Sequence, residues 1–176
     1  ISFYLPDTFS PNSEAYPESL KRFQSFNLDM VGENKAVSRS ININQIKKAF
    51  SLLKDGIISF DSSFKAFSQI LKEFLNRKYK TRRSTLQDVF AFDLFIKNLK
   101  NKKPSFSTYF TNHVAGMMHR YWKDLFPSDF GLTHKDVDKF HSMSILKAMD
   151  IADRDLKKLI KLSKEDGYSI LVLSSM

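Results

Sequence analysis

The chain has 176 residues, of which 42% are hydrophobic and 27% charged, so it can bury a core and does not have a disordered composition. It lacks an apolar run of ~18 residues, which argues against a membrane span, and it lacks cysteine, which excludes thiolate chemistry and suits a reducing, cytoplasmic location. The net charge of +9 favours anionic partners, either phosphate-bearing small molecules or nucleic acid.

Few glycines and prolines, together with apolar residues at helical spacing, predict a helix-rich chain. Residues 6–17 and 31–42 have the composition of loops. The predicted helices cover residues 18–29, 42–54, 61–74, 85–100 and 135–163. An alternating run at 106–111 and a continuous apolar run at 169–174 predict strands, and residues 1–5 look like the end of another strand.

The last two predicted strands enclose the helix predicted at 135–163. A strand, a helix and a second strand form a unit in which the strands pair in parallel, with a right-handed crossover. We therefore expect an α/β fold with three layers, in which a mostly parallel sheet has helices on both faces and this helix-rich chain holds few of the strands. The chain starts without Met and stops just after an apolar strand, so we expect residues 1–176 to be part of one longer domain.

Two surfaces of the predicted helices each have a structural and a functional interpretation. One helix face carries five apolar residues at 3–4 spacing, which are Phe60, Phe64, Phe67, Leu71 and Phe74. We expect this face to pack within its own fold rather than to bind a partner. The basic run at 77–83 is either a phosphate-contacting surface or a solvated loop, and we expect its cations to be exposed and scattered in direction.

The segment 111–122 concentrates residue types that carry chemistry, because it holds two of the four histidines, an arginine and the only tryptophan. His113 and His119 are six positions apart, which is about 240° on a regular helix. They can share a metal ion only if the backbone turns between them, which Gly116 permits. The alternative interpretation of this segment is capping and core packing.

Several stretches of the chain, in order, match one known group of enzymes. They are Pro6 to Pro11 with Tyr16-Pro17, Ala91 to Phe95, Phe106-Ser-Thr-Tyr-Phe-Thr-Asn-His113, Met118-His-Arg-Tyr-Trp122, Ala148-Met-Asp150 and Leu173 to Met176. Together they resemble a bacterial branch of the alkaline phosphatase superfamily, the group related to type I phosphodiesterases and nucleotide pyrophosphatases. The likeness covers nearly the whole chain and depends on the joint match.

This resemblance implies a metal-dependent hydrolase or transferase that acts on phosphate or sulfate esters, with divalent metal, zinc or manganese, at the carboxyl ends of the strands. It places the nucleophile upstream of the chain, so the full-length protein is expected to be the enzyme and the fragment alone to be inactive. The metal ligands that it implies are His119 and His113. The residues expected to bind substrate or another anion are Asn112, Arg120, Ser174 and Ser175.

Departures from the family pattern leave three functions open. Asn112 stands where the family has Asp, and Gly116 lies near the expected His. Ser175 and Met176 stand where Asp and His are expected, and a thioether does not replace imidazole as a zinc ligand. The first hypothesis is the ester hydrolase. The second is a non-catalytic relative that binds an anionic ligand or a partner, and the third is a basic helical nucleic-acid-binding module based on residues 77–83.

Overall fold

A computed structural model describes residues 1–31 and 43–173 of the chain. Over these residues the regular structure is helical, and the one β-type pairing is an isolated antiparallel bridge between Tyr4 and Tyr16. The α-helices are α1 (Lys21–Val31), α2 (Ile43–Lys54), α3 (Phe60–Leu75), α4 (Ser84–Lys102), α5 (His113–Leu125), α6 (Lys139–Ser142) and α7 (Ser144–Asp166). Short 3-10 helices lie at Glu18–Leu20, Arg77–Arg82 and Pro127–Phe130. None of the helices seen in the described ranges is both long enough and apolar enough to cross a membrane.

The contacts within the chain group it into two compact units, Ile1–Thr111 and Asn112–Met176. The core of the first unit joins α1, α2, α4 and the loop after α2, and consists of Leu20, Phe23, Phe26, Leu52, Ile58, Phe90 and Leu94. In the second unit α5 and α7 pack around Met117, Ile145 and Ala148. The prediction of one partial domain covers both units and stays a prediction.

The predicted α/β fold with a three-layer sheet is wrong, although the expectation of a helix-rich chain is confirmed. Residues 106–111 run along α4 instead of joining a sheet. The ring of Tyr109 packs edge-to-face on Phe92, with 5.4 Å between the centroids, and its hydroxyl donates to Asp88 at 2.7 Å. The hydroxyl of Thr111 also donates to Asp88. Of the three aromatic residues in this run only Tyr109 packs on α4, whereas Phe106 and Phe110 are largely exposed, so the pattern does not mark a strand.

The strand predicted at 169–174 is also wrong over the residues that the structure describes. Residues 169–173 have no regular structure, and the apolar side chains of residues 171–173 are exposed. They follow Gly167, which ends α7 in the left-handed conformation at φ 75°. Neither strand of the predicted parallel unit is therefore formed over the described residues, and α5, α6 and α7 lie between the two segments.

The predicted helices correspond to α1, α2, α3, α4 and the α6–α7 pair, with shifted ends. The N-cap of α3 is Ser59, whose hydroxyl accepts from the N–H of Ser62. The loop predicted at 31–42 lies outside the described residues, apart from Val31, which ends α1.

The α3 helix presents its polar face to the protein and its apolar face to solvent. Ser62 and Glu73 are only 2% and 6% exposed. We call the opposite face the α3 stripe, and the exposed fractions of its residues are 82% for Phe60, 71% for Phe64, 64% for Phe67, 50% for Leu71 and 86% for Phe74. The prediction that this face packs within its own fold is therefore wrong.

A buried ion pair holds α3 in this orientation. The carboxylate of Glu73 accepts from Nε of Arg83 at 3.0 Å and from Nη2 of the same guanidinium, and both side chains are largely buried. The amide of Gln69 donates to Glu73 at 3.0 Å and to the carbonyl oxygen of Tyr79 at 2.6 Å. These bonds join the polar face of α3 to the 3-10 helix Arg77–Arg82, and charge-assisted bonds of this kind are the stronger ones.

Loss of one partner of this pair should destabilise the first unit. Arg83→Ala leaves the buried carboxylate of Glu73 without its guanidinium, and we expect the free energy of unfolding in urea to fall by ~3–5 kcal/mol. The control is Lys65→Ala, which removes the exposed pair with Asp61 on the same helix and should cost at most ~1 kcal/mol. Equal effects of the two substitutions would contradict the role given to Glu73 and Arg83.

Candidate functional site

The two histidines that the sequence favours as metal ligands lie apart on α5. The helix is continuous through Gly116, so the backbone turn that would bring them together is missing. His113 is buried, and its Nε2 lies 3.0 Å from the carbonyl oxygen of Ala148 on α7, to which it donates. His119 is exposed, on another face of the helix. These two residues therefore do not fit a shared metal ion.

The other expected site residues do not gather around the histidines. Asn112 is exposed just before α5 and its side chain makes no capping bond, and Arg120 is exposed on the helix. Ser174 and Ser175 lie outside the described residues. Over residues 1–31 and 43–173, no three His, Asp or Glu side chains are grouped to hold a metal ion. Metal elsewhere in the complete protein stays a prediction.

The basic run at 77–83 does not form one cationic surface. Arg77 and Lys78 are exposed, whereas the other three cations are half-buried, so the expectation of general exposure is wrong. Arg83 is held in the buried ion pair with α3. The guanidinium of Arg82 lies 5.5 Å from the ring centroid of Tyr79, within the range of a cation–π contact. Two of the five cations of this run, Arg82 and Arg83, therefore make contacts within the fold.

A cleft of about 430 Å³ opens between α1 and α2, and we call it the α1–α2 cleft. The side chains that line it are Lys21, Arg22, Ser25, Lys47, Lys48, Ser51 and Leu52. Leu52 belongs to the core and forms an apolar floor. The rest of the lining is four cations and two hydroxyls, with no carboxylate and no aromatic ring. This composition suits an anion.

The lining comes from a nine-residue sequence repeat, one copy on each helix. Residues 21–29 read Lys-Arg-Phe-Gln-Ser-Phe-Asn-Leu-Asp, and residues 47–55 read Lys-Lys-Ala-Phe-Ser-Leu-Leu-Lys-Asp. Both have cations at the first two positions, Ser at the fifth and Asp at the ninth. These four positions fall within an arc of about 100° on a helix, so each helix presents the same polar face. The sixth position is buried in both copies, as Phe26 and Leu52.

The two copies of the repeat bind each other reciprocally. Nη2 of Arg22 donates to the hydroxyl of Ser51 at 2.5 Å, and Nζ of Lys48 donates to the hydroxyl of Ser25 at 3.2 Å. Each bond joins the second position of one copy to the fifth position of the other. This pattern requires the two helices to run antiparallel around a local two-fold axis, so the α1–α2 cleft has two equivalent halves.

Carboxylates hold the cations from outside the cleft lining. Asp55 lies 2.5 Å from Nη1 of Arg22, and Asp29 accepts from Lys48, so the ninth position of each copy pairs with the second position of the other. Glu18 also lies 3.1 Å from Lys21. All three pairs are largely exposed to solvent, and such pairs add at most ~1 kcal/mol each to stability. They orient the cations, while the apolar core joins the helices.

The repeat is the signal by which the sequence could have revealed this cleft. Surface Lys, Arg, Ser and Asp are ordinary residue types on a helix, and singly none indicates a site. Their matched spacing in residues 21–29 and 47–55 is what distinguishes them. Residue type alone favours the histidine-containing segment 111–122 instead.

A scan against protein-family models, a search of curated proteins and a search of solved structures each found no match to this chain. The resemblance to the alkaline phosphatase superfamily therefore stays a prediction that rests on the sequence stretches alone. The function has to be argued from the geometry of the described residues.

The positions of His113 and His119 on α5 predict that only His113 contributes to stability. His113→Ala removes a buried ring and leaves the carbonyl oxygen of Ala148 without this donor, so we expect a loss of ~1–3 kcal/mol in the free energy of unfolding. His119→Ala removes an exposed ring and should change it by less than ~0.5 kcal/mol. Urea titrations of the two variants test this assignment, and a larger loss for His119→Ala would contradict it.

Proposed function

We propose that this protein binds a small phosphate-bearing ligand in the α1–α2 cleft. The observation that carries the proposal is a lining of four cations and two hydroxyls without a carboxylate, supplied by a repeated sequence. Phosphate oxygens accept charge-assisted hydrogen bonds from Lys and Arg and ordinary ones from Ser. A volume of about 430 Å³ lies within the ~300–1,000 Å³ of small-molecule sites.

A small ligand is favoured over nucleic acid by the shape and composition of the cleft. Proteins that bind single strands combine a long cationic groove with aromatic rings on which bases stack. The lining of the α1–α2 cleft has no aromatic ring, and the repeat ends after nine residues on each helix. The basic run at 77–83, on which the nucleic-acid hypothesis depended, uses Arg83 in a buried ion pair.

The two equivalent halves of the cleft favour a ligand with two phosphate groups. Each half offers the second cation of one repeat copy beside the serine of the other, as Arg22 with Ser51 and Lys48 with Ser25. Two phosphate groups can each bind at one of these cation–serine pairs, whereas a single phosphate group leaves one pair unoccupied. Pyrophosphate should therefore bind more tightly than orthophosphate.

This proposal follows the second of the sequence hypotheses, in which the protein binds an anionic ligand. Ester hydrolysis by the complete protein is a further expectation, in which the cleft would hold the phosphate end of the substrate. The proposal assigns no nucleophile to residues 1–176. Absence of cysteine suits a reducing compartment, and a cytoplasmic location is part of the proposal.

Neutral substitutions in the cleft should weaken binding. We expect Arg22→Gln and Lys48→Gln each to reduce the affinity for pyrophosphate at least ~10-fold in isothermal titration calorimetry, because each removes a charge-assisted hydrogen bond worth ~1.5–3 kcal/mol. The free energy of unfolding should change by at most ~1 kcal/mol, since the ion pairs of these residues are exposed.

Matched controls separate the cleft from general electrostatic attraction. Arg77→Gln and Lys54→Gln make the same change in charge at exposed residues that do not line the cleft. They should leave the affinity for pyrophosphate within ~2-fold of the starting value. Equal losses in all four variants would contradict a site in the cleft. Tighter binding of an oligonucleotide than of pyrophosphate, with a steep dependence on salt, would support the nucleic-acid hypothesis instead.

Removal of the carboxylates that compete for the cations should strengthen binding. Asp29→Asn with Asp55→Asn releases Lys48 and Arg22 from their ion pairs. We expect roughly 3- to 10-fold higher affinity for pyrophosphate, because each exposed pair is worth at most ~1 kcal/mol. The control is Asp150→Asn with Asp153→Asn, which changes the net charge equally on the exposed surface of α7. A loss of affinity in the first double variant would show that the carboxylates shape the cleft, and would contradict this prediction.

A further inference from the structure

The α3 stripe has the pattern of a helix-pairing seam. Its residues Phe60, Phe64, Phe67, Leu71 and Phe74 are separated by 4, 3, 4 and 3 positions. This is the heptad spacing of a coiled-coil interface, here continued for about 21 Å along the helix. All five side chains are at least half exposed, and the polar side of the same helix is held against the protein. An exposed apolar surface of this size and order marks an interaction site.

We propose that the α3 stripe is the interface of a homodimer, in which it pairs antiparallel with the α3 stripe of a second copy. The spacing of 4, 3 and 4 positions from Phe60 to Leu71 reads the same in both directions, so a two-fold axis between Phe64 and Phe67 lays this part of the seam on the same part of the second copy. Such a self-complementary surface is what a symmetric dimer requires. This inference does not rest on the binding of phosphate in the α1–α2 cleft.

The area of the α3 stripe is sufficient for a specific dimer. A fully exposed phenylalanine side chain presents about 200 Å². At the observed exposures the four phenylalanines of the stripe offer roughly 600 Å² per copy, or on the order of 1,200 Å² in a symmetric pair. Leu71 and Leu75, which are 50% and 76% exposed, add further apolar area. The total falls within the ~1,200–2,000 Å² of stable protein interfaces.

The charges beside the α3 stripe select the antiparallel arrangement. Asp61 lies near the start of α3 and Lys72 near its end, and both flank the same edge of the seam. In an antiparallel pair Asp61 comes to the same end as the partner subunit's Lys72, so opposite charges meet. In a parallel pair the corresponding edges of the two copies lie on opposite sides of the seam, so Asp61 and Lys72 would not meet across it.

Sedimentation velocity over a range of protein concentrations tests the dimer. We expect the complete chain to sediment as a dimer that dissociates on dilution. Phe67→Lys places two like charges beside the two-fold axis, so this variant should be a monomer with unchanged helical circular dichroism, since Phe67 is 64% exposed. The control Leu171→Lys alters a residue that is 80% exposed outside α3, and it should remain a dimer.

Charge reversal tests the direction of pairing. Asp61→Lys and Lys72→Asp should each weaken the dimer at least ~3-fold, and the two substitutions together should restore it, because the charges are exchanged at both ends. A chain that is monomeric at every concentration would overturn the proposal, as would a dimer that survives Phe67→Lys. A dimer that is lost in Met149→Lys but not in Phe67→Lys would instead assign the interface to the exposed apolar residues of α7.

Discussion

The orientation of α3 depends on the buried ion pair between Glu73 and Arg83. Rotation of the helix by half a turn would turn the α3 stripe toward the protein and would separate Glu73 from the guanidinium of Arg83. A buried charge that loses its partner costs ~3–5 kcal/mol, while the intact pair adds little net stability over an apolar contact. In a single copy the apolar side chains of the α3 stripe therefore remain exposed to water. The free energy of burying them is gained only when the stripe is covered.

Most of the helices could be predicted from the sequence because their apolar spacing is local, whereas α5 was not predicted and the predicted strands are not formed over the described residues. Residues 106–111 alternate as a strand would, but the partner of Tyr109 is the α4 helix. Period-two alternation reports only that one side of an extended segment faces apolar surface, and it does not say whether that surface is a sheet or a helix. The α3 stripe shows the converse limit. Its spacing predicted a helix correctly, but the side that is buried was decided by Arg83, which lies beyond the helix.

The candidate site was missed for a related physical reason. Histidine and tryptophan are rare residues with several chemical roles, so residue type predicts a site in the segment 111–122. In the structure His113 bonds a backbone carbonyl and His119 faces solvent. The α1–α2 cleft is lined by common residue types, which indicate a site only through their contacts between the two helices. Arg22 and Ser51 are 29 positions apart in the sequence, and they form a hydrogen bond only when the two helices pack antiparallel. The repeat is visible in the sequence. The sequence does not show that the two helices pack antiparallel, which is what brings the two copies into contact.

The distribution of cations bears on how the net charge of +9 is used, because the densest basic run does not form one exposed surface. In the densest basic run, Arg83 is buried against a carboxylate and Arg82 lies over a tyrosine ring, so these charges help to hold α3 and its neighbouring 3-10 helix. The α1–α2 cleft is lined by Arg22 and Lys48, while Asp55 and Asp29, which pair with them, are not part of the lining. Surface charges more than ~8–10 Å apart are largely screened at physiological salt. The proposed anion site therefore rests on the local arrangement of cations and not on the total charge.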